Sequence, residues 1–169
     1  QGEIFFDEVK IPKDYMVFGQ DEYAEVLRAT LTMANSWMGA TFAGVARSAF
    51  DLANQYAKER VQGGKPINQH QSVKLRLFDM FRKVETASTF ARKATVVNSV
   101  TEGQLHLAIA AKTYATRVSF DVASEALQIF GGNGLSKEYP IEKIMRDARA
   151  SMIEDGCNEV LSIVGASHL

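Results

Sequence analysis

Residues 128–156 read QIFGGNGLSKEYPIEKIMRDARASMIEDG. The stretch opens on the end of an apolar periodic run that meets Gly131-Gly132. It closes on two adjacent carboxylates, Glu154 and Asp155, set against Gly156. Between them lie Tyr139-Pro140, a mixed-charge run and Arg146-Asp147. A glycine pair after an apolar run is a helix stop, so the fold before this point is helical. Acidic groups beside a glycine, downstream of a glycine-rich turn, suit a proton-transfer site near an anionic group. A solvated loop joining two helices is the plainer reading of the same spacing, and spacing alone favours it.

Working back from Gly131, Leu107, Ala111, Ala115, Val118, Val122, Ala126 and Ile129 recur at helical steps, predicting a helix over 104–130. Small residues dominate that stripe, which lets neighbours approach closely. Before the break at Gly103, Val73, Leu77, Phe81, Val84, Ala87, Ala91, Ala94 and Val97 predict a helix over 68–101. Its basic residues read as a wet face. Earlier still, Leu27, Leu31, Ala34, Met38, Phe42, Val45, Ala49, Leu52 and Tyr56 predict a helix over 21–60. That stripe, with Trp37 and Phe42, is expected to pack in the core. Gly63-Gly64 and Pro66 are expected to terminate it through a left-handed turn. Arg60 lies in its last turn, where the helix dipole favours a cation. Short helices are expected over 141–148 and 158–167, with Asn158 at a cap or first position. The fold class is therefore all-α, an antiparallel four-helix-type bundle.

Residues 1–20 differ. Ile4, Phe5, Phe6, Val9 and Ile11 form a β-prone run punctuated by Pro12 and Gly19. A strand with no sheet to join is read as a stray N-terminal β-segment, a terminal strand and linker from a missing domain. Residues 21–169 are then the bundle domain. The chain begins at Gln1, not Met, which also fits a processed chain or a fragment.

Composition narrows the function. A 169-residue chain with 46% hydrophobic and 23% charged residues suits one folded domain with a core. A net charge of −1 gives no basic footprint for nucleic acid or anionic lipid. No apolar run reaches the roughly 20 residues of a membrane span. Cys157, the single cysteine, makes no internal disulfide, and no Cys/His cluster has metal-ligand spacing. His70, His106 and His168 show no triad arrangement. A cytoplasmic location, or an organelle matrix, is the expectation.

The 128–156 stretch is similar to the C-terminal signature of the acyl-CoA dehydrogenases: Gln-x-x-Gly-Gly, then Glu-Tyr-Pro, then Arg-Asp-Ala, then an acid before Gly. Other elements agree in order. IFFDEVKIP resembles the last strand of the family's middle β-domain. YAKER with Gly-Lys-Pro-Ile and His70-Gln71 resembles its first helix end and loop, and FDM at 78–80 falls on its second helix. The resemblance covers essentially the whole chain and implies a C-terminal bundle from a protein roughly twice as long. Alone, such a fragment is expected to be inactive.

What the resemblance implies is an FAD enzyme performing α,β-dehydrogenation of an acyl thioester, acyl-CoA or another. A carboxylate removes the α-proton while the β-hydrogen passes to flavin. The base position falls on Asp155, with Glu154 in reserve, and the Asp155 N–H would hold the thioester oxygen. Exclusion of water is expected to raise the base's pKa. The family norm is Glu, so Asp155 is a departure that withdraws the carboxylate by roughly 1.5 Å. Arg60, Gln128, Gly131 and Gly132 match positions that contact the FAD of a neighbouring subunit, where arginine suits a pyrophosphate. Cys157 stands where the family usually has a threonine contacting flavin. Gly156, Thr32 and Asn35 fall on the substrate side. The last two replace an Asp-x-x-Arg pair, and Ala34 stands where some relatives move the base. An electron-transfer acceptor and a homodimer or homotetramer are the implied partners. Two alternatives remain: a same-fold flavoenzyme of nitroalkane oxidase type, which uses Asp, or of acyl-carrier-protein type; and a non-catalytic helical assembly module.

Overall fold

The computed structural model describes residues 2–169; Gln1, the first residue of the expected terminal segment, lies outside the described residues. Five helices account for most of the chain. They are α1 (Tyr23–Glu59), α2 (Gln71–Val100), α3 (Leu105–Phe130), α4 (Ile141–Ala150) and α5 (Asn158–Ala166). A hairpin of β1 (Val61–Gln62) and β2 (Lys65–Pro66) separates α1 from α2. The bundle runs up, down, up. Arg47 of α1 pairs with Glu85 of α2, and Arg76 of α2 with Glu125 of α3, so consecutive helices are antiparallel. α1 and α3 are therefore parallel: Gly39 faces Ala111, while Tyr56 stacks on Phe130 at the far end. The fourth place in the bundle is shared by the short α4 and α5, both packed on α3.

α1 buries a narrower and smaller face than its large apolar residues suggest. Thr32, Ser36, Gly39, Ala43, Ala46, Ala53 and Ala57 are buried, along with Phe42 and Ala49. Leu27, Leu31 and Trp37 are 38%, 40% and 60% exposed, so their expected place in the core is corrected. The reason is distance. Alanines and a glycine bring two helix backbones together more closely than leucines allow, and the larger side chains fall on the outer flank. A Cβ built on Gly39 would stand 3.2 Å from the Ala111 carbonyl carbon. On α2, Met80, Val84, Ala87, Ala91 and Ala94 are buried, whereas Phe81 is 42% exposed.

α3 is enclosed along most of its circumference. Its buried set includes Ala111, Ala115, Val118, Val122, Ala126 and Ile129 as expected, and also Lys112, Thr116 and Ser119.

Two local expectations change. Gly63 and Gly64 do not cap α1, which stops at Glu59 with Arg60 already extended. With φ of 60° and 76° they form the two-residue turn of the hairpin, a conformation that suits glycine pairs. Residues 4–11 form no strand, and Ile4, Phe5 and Phe6 are 78%, 86% and 79% exposed. A lone β-prone segment has no ladder partner in this chain. Replacing Gly39 with valine is expected to force α1 from α3 and lower stability by about 1–3 kcal/mol. A denaturant titration read by helical circular dichroism checks this, with a reduced midpoint as the expected result.

Candidate active site and cofactor cleft

The acidic turn leaves the end of α4 through Ser151–Gly156. Glu154 N–H donates to Ala150 O at 3.0 Å, and Asn158 N–H returns to Met152 O at 3.0 Å. Asp155 has φ of 51° and Gly156 φ of 89°. Aspartate is among the few non-glycine residues that visit the left-handed region readily. Gly156 has a second constraint, because a Cβ there would meet the Leu161 side chain at 3.1 Å. Glu154, Asp155 and Gly156 are all exposed.

Beneath the turn lies Lys112 of α3, fully buried. Its ammonium donates to Glu154 O at 3.1 Å, Gly156 O at 2.8 Å and Asn158 Oδ1 at 3.0 Å. All three lysine donors are thereby used. They end on backbone carbonyls and an amide rather than on either carboxylate. Burial pulls the Lys112 ammonium below the usual lysine range, and the charges of Asp155 and then Glu154 oppose that pull. Asn158 is the first residue of α5, but it does not cap the helix. Its amide turns inward, donating to Thr116 Oγ1 at 3.0 Å and Thr113 O at 3.4 Å. Cys157 is half-buried at the N-cap of α5 and makes no side-chain cap bond.

Lys112 is a residue that sequence reasoning misses. A signal was available: in AIAAKTYA, Lys112 falls on the stripe of Ala108, Ala111 and Ala115, where a lysine cannot reach water without leaving the helix interface.

Thr32 and Asn35 lie in the same half of the bundle, on α1 below Gly39. Both are buried and turned onto their own helix, Thr32 Oγ1 donating to Arg28 O and Asn35 Nδ2 to Leu31 O, each at 2.8 Å. The Asn35 Oδ1 has no partner. Thr32 packs against the α2–α3 turn, with its Cγ2 3.3 Å from where a Gly103 Cβ would stand.

At the opposite end, Arg60, Gln128, Gly131 and Gly132 line one open cleft with Tyr56 and Gln62. Tyr56 is held by its stack on Phe130, centroids 4.2 Å apart, and its hydroxyl accepts from Asn133 Nδ2 at 3.0 Å. Space is open where a Cβ of Gly131 or Gly132 would stand. A guanidinium, two amides and exposed glycine backbone are a donor set that fits a phosphate-bearing, heteroaromatic cofactor such as FAD. Lys112 and Gln128 are on one helix, about 24 Å apart at 1.5 Å per residue. The acidic turn and the cleft are thus two separate places. Among the described residues no group of three His, Cys, Asp or Glu side chains could hold a metal.

An all-α bundle with an acidic turn fastened at one end and a polar cleft at the other is the class of protein seen here. Residues 24–169 match the family described as Acyl-CoA dehydrogenase, C-terminal domain, and the chain belongs to that family. The short-chain specific acyl-CoA dehydrogenase of Megasphaera elsdenii is 36% identical over 168 residues, covering 99% of this chain and 44% of that protein. The solved butyryl-CoA dehydrogenase of the same organism matches with a TM-score of 0.90 at 35% identity, over 96% of this chain and 42% of that one. A nitroalkane oxidase matches with a TM-score of 0.79 at 26% identity, over 85% of this chain and 35% of that one. The chain spans less than half the length of these relatives.

Replacing Gly156 with alanine combines a left-handed backbone with a Leu161 overlap and is expected to cost about 1–3 kcal/mol. The shift in thermal midpoint measures it, and an unchanged midpoint would show that the turn relaxes freely.

Proposed function

We propose that this chain is the C-terminal domain of an FAD-dependent acyl-CoA dehydrogenase, and that Asp155 is the base removing the α-proton of an acyl thioester. The observation that carries the proposal is Asp155 itself, presented to solvent on a left-handed turn whose flanking carbonyls are bound to α3. A base must be held within hydrogen-bond reach of its proton, and a fastened turn does this better than a mobile loop. The Asp155 N–H is the donor for the thioester oxygen, where negative charge gathers as the proton leaves. Glu154, the neighbouring carboxylate, is the reserve base. Gly156, next to the base, lets the turn close onto Leu161 in a left-handed conformation and falls on the substrate side of the turn. Thr32 and Asn35, both buried in α1, are read as lying behind the substrate side.

FAD, when bound, supplies the acceptor for the β-hydrogen. Arg60, Gln128, Gly131 and Gly132 would hold the phosphate and adenine portions of one FAD in the cleft, and Cys157 at the acidic turn would be a weak thiol contact to another. Because the cleft and the acidic turn are about 24 Å apart along α3, the cleft is read as serving the cofactor of a neighbouring subunit, giving a homodimer or homotetramer. Residues 1–20, with their exposed Ile4, Phe5 and Phe6, are read as the connection from a preceding β-domain. No helix is long and apolar enough to cross a membrane among the described residues. A cytoplasmic or organelle-matrix enzyme passing electrons to an acceptor protein completes the reading. One feature favours a second reading: an aspartate rather than a glutamate at the base position, together with the match to a nitroalkane oxidase, fits oxidation of a nitroalkane.

The test is anaerobic addition of a panel of acyl-CoA thioesters, and of a nitroalkane, to the full-length flavoprotein while flavin absorbance is followed. Bleaching by a thioester class, slowed about 10³-fold by Asp155→Asn, is the expected result. Bleaching that survives the substitution moves the base to Glu154, and bleaching by the nitroalkane alone favours the second reading. Arg60→Ala is expected to weaken FAD binding by about 10–100-fold, read by equilibrium dialysis of flavin.

A further inference from the structure

The buried Lys112 is unexplained by packing. An apolar side chain of similar length would fill the same space without the several kcal/mol that desolvating an ammonium costs. What the charge obtains in return is all on one feature. Two of its three bonds go to the carbonyls of Glu154 and Gly156, the residues on either side of Asp155, and the third to Asn158, which begins α5.

The Glu154 carbonyl belongs to the peptide plane that carries the Asp155 N–H. In a trans peptide the C=O and N–H point in opposite directions. With that oxygen turned toward Lys112, the Asp155 N–H is aimed away from α3, to the exposed side of the turn. From this geometry we infer that Lys112 is a positioning residue, fixing both the Asp155 carboxylate and the Asp155 N–H in the orientation the reaction needs. This rests on the reading of Asp155 as base. The charged and titratable groups around the ammonium are Asp155, Glu154 and Cys157 on the turn and Glu159 on α5; α1 meets Lys112 at the uncharged Gly39.

The experiment uses the full-length flavoprotein in single-turnover anaerobic reduction by the thioester that bleaches it best, with rates expressed per bound flavin. Lys112→Met is expected to slow the limiting rate about 100-fold, the scale of a misplacement near 1 Å, by more than it changes thioester affinity. Asn158→Ala keeps the charge and both carbonyl bonds and is expected to lose less than about tenfold in the limiting rate. Where Lys112→Met loads no flavin, Lys112→Gln is measured instead: its amide keeps a donor to the turn, so a smaller loss of limiting rate is expected, again larger than the change in thioester affinity. A wild-type limiting rate in a flavin-loaded Lys112 variant overturns the inference. Asp155→Asn is run beside them. If it is inert while Lys112→Met reacts normally, only the positioning role fails; if Asp155→Asn itself reacts at the wild-type rate, the base assignment fails and the positioning role with it.

Discussion

The close approach of α1 to α3 is the constraint on which the rest of the structure depends. Ala43, Ala46, Ala53 and Ala57 on one helix, and Ala111, Ala115, Val122 and Ala126 on the other, set a short interhelical distance. Gly39 takes it to backbone contact at Ala111 and Lys112. With α2, α4 and α5 closing the remaining sides, α3 becomes the axis of the domain. A polar group buried on it is costly unless it finds a partner within the protein; Ser119 Oγ has none, whereas Thr116 and Lys112 do. Thr116 turns back to the Lys112 carbonyl at 2.9 Å and also reaches Asn158. Lys112, too long and too charged to be satisfied by its own helix, draws the α4–α5 turn down onto the bundle. Packing and site geometry are thus one arrangement.

The same axis keeps the two proposed sites apart. Its N-terminal half holds the acidic turn, and its C-terminal end opens into the cleft beside Arg60. The two needs differ physically. A proton acceptor calls for a fixed carboxylate, and a phosphate-bearing cofactor calls for diffuse donors and open backbone. A long rigid helix can carry both without compromise between them.

Helix periodicity and breakers are readable in the sequence. The three long helices fall within a few residues of where apolar spacing and Gly103 or Gly131 place them, because those signals are local. The face of α1 is harder. Leu27, Leu31 and Trp37 stand out as hydrophobic, yet the buried stripe is built from glycine, alanine and serine, which carry little hydropathic signal. Gly63-Gly64 reads as a cap because a glycine pair after a helix suits either role, and only the pairing of Val61 with Pro66 across it makes a hairpin. The four cleft residues meet in space because α1 and α3 end together, and their grouping came from family resemblance rather than from spacing. Lys112 escapes a sequence reading because a lysine on a helix is ordinarily wet. Only the enclosure of α3, a property of the whole bundle, makes this one different.

Trp37 illustrates how much the outer flank differs from the core. It is the sole tryptophan and sits 60% exposed on α1, two residues from the buried Asn35 and two from Gly39. An indole already in water emits at long wavelength and changes little when the chain unfolds. Its fluorescence is expected to respond less to loss of the bundle than a buried indole's would, and to report whatever covers that flank. The protein thus carries, on the outside of α1, an optical reporter weighted toward contacts made by that flank.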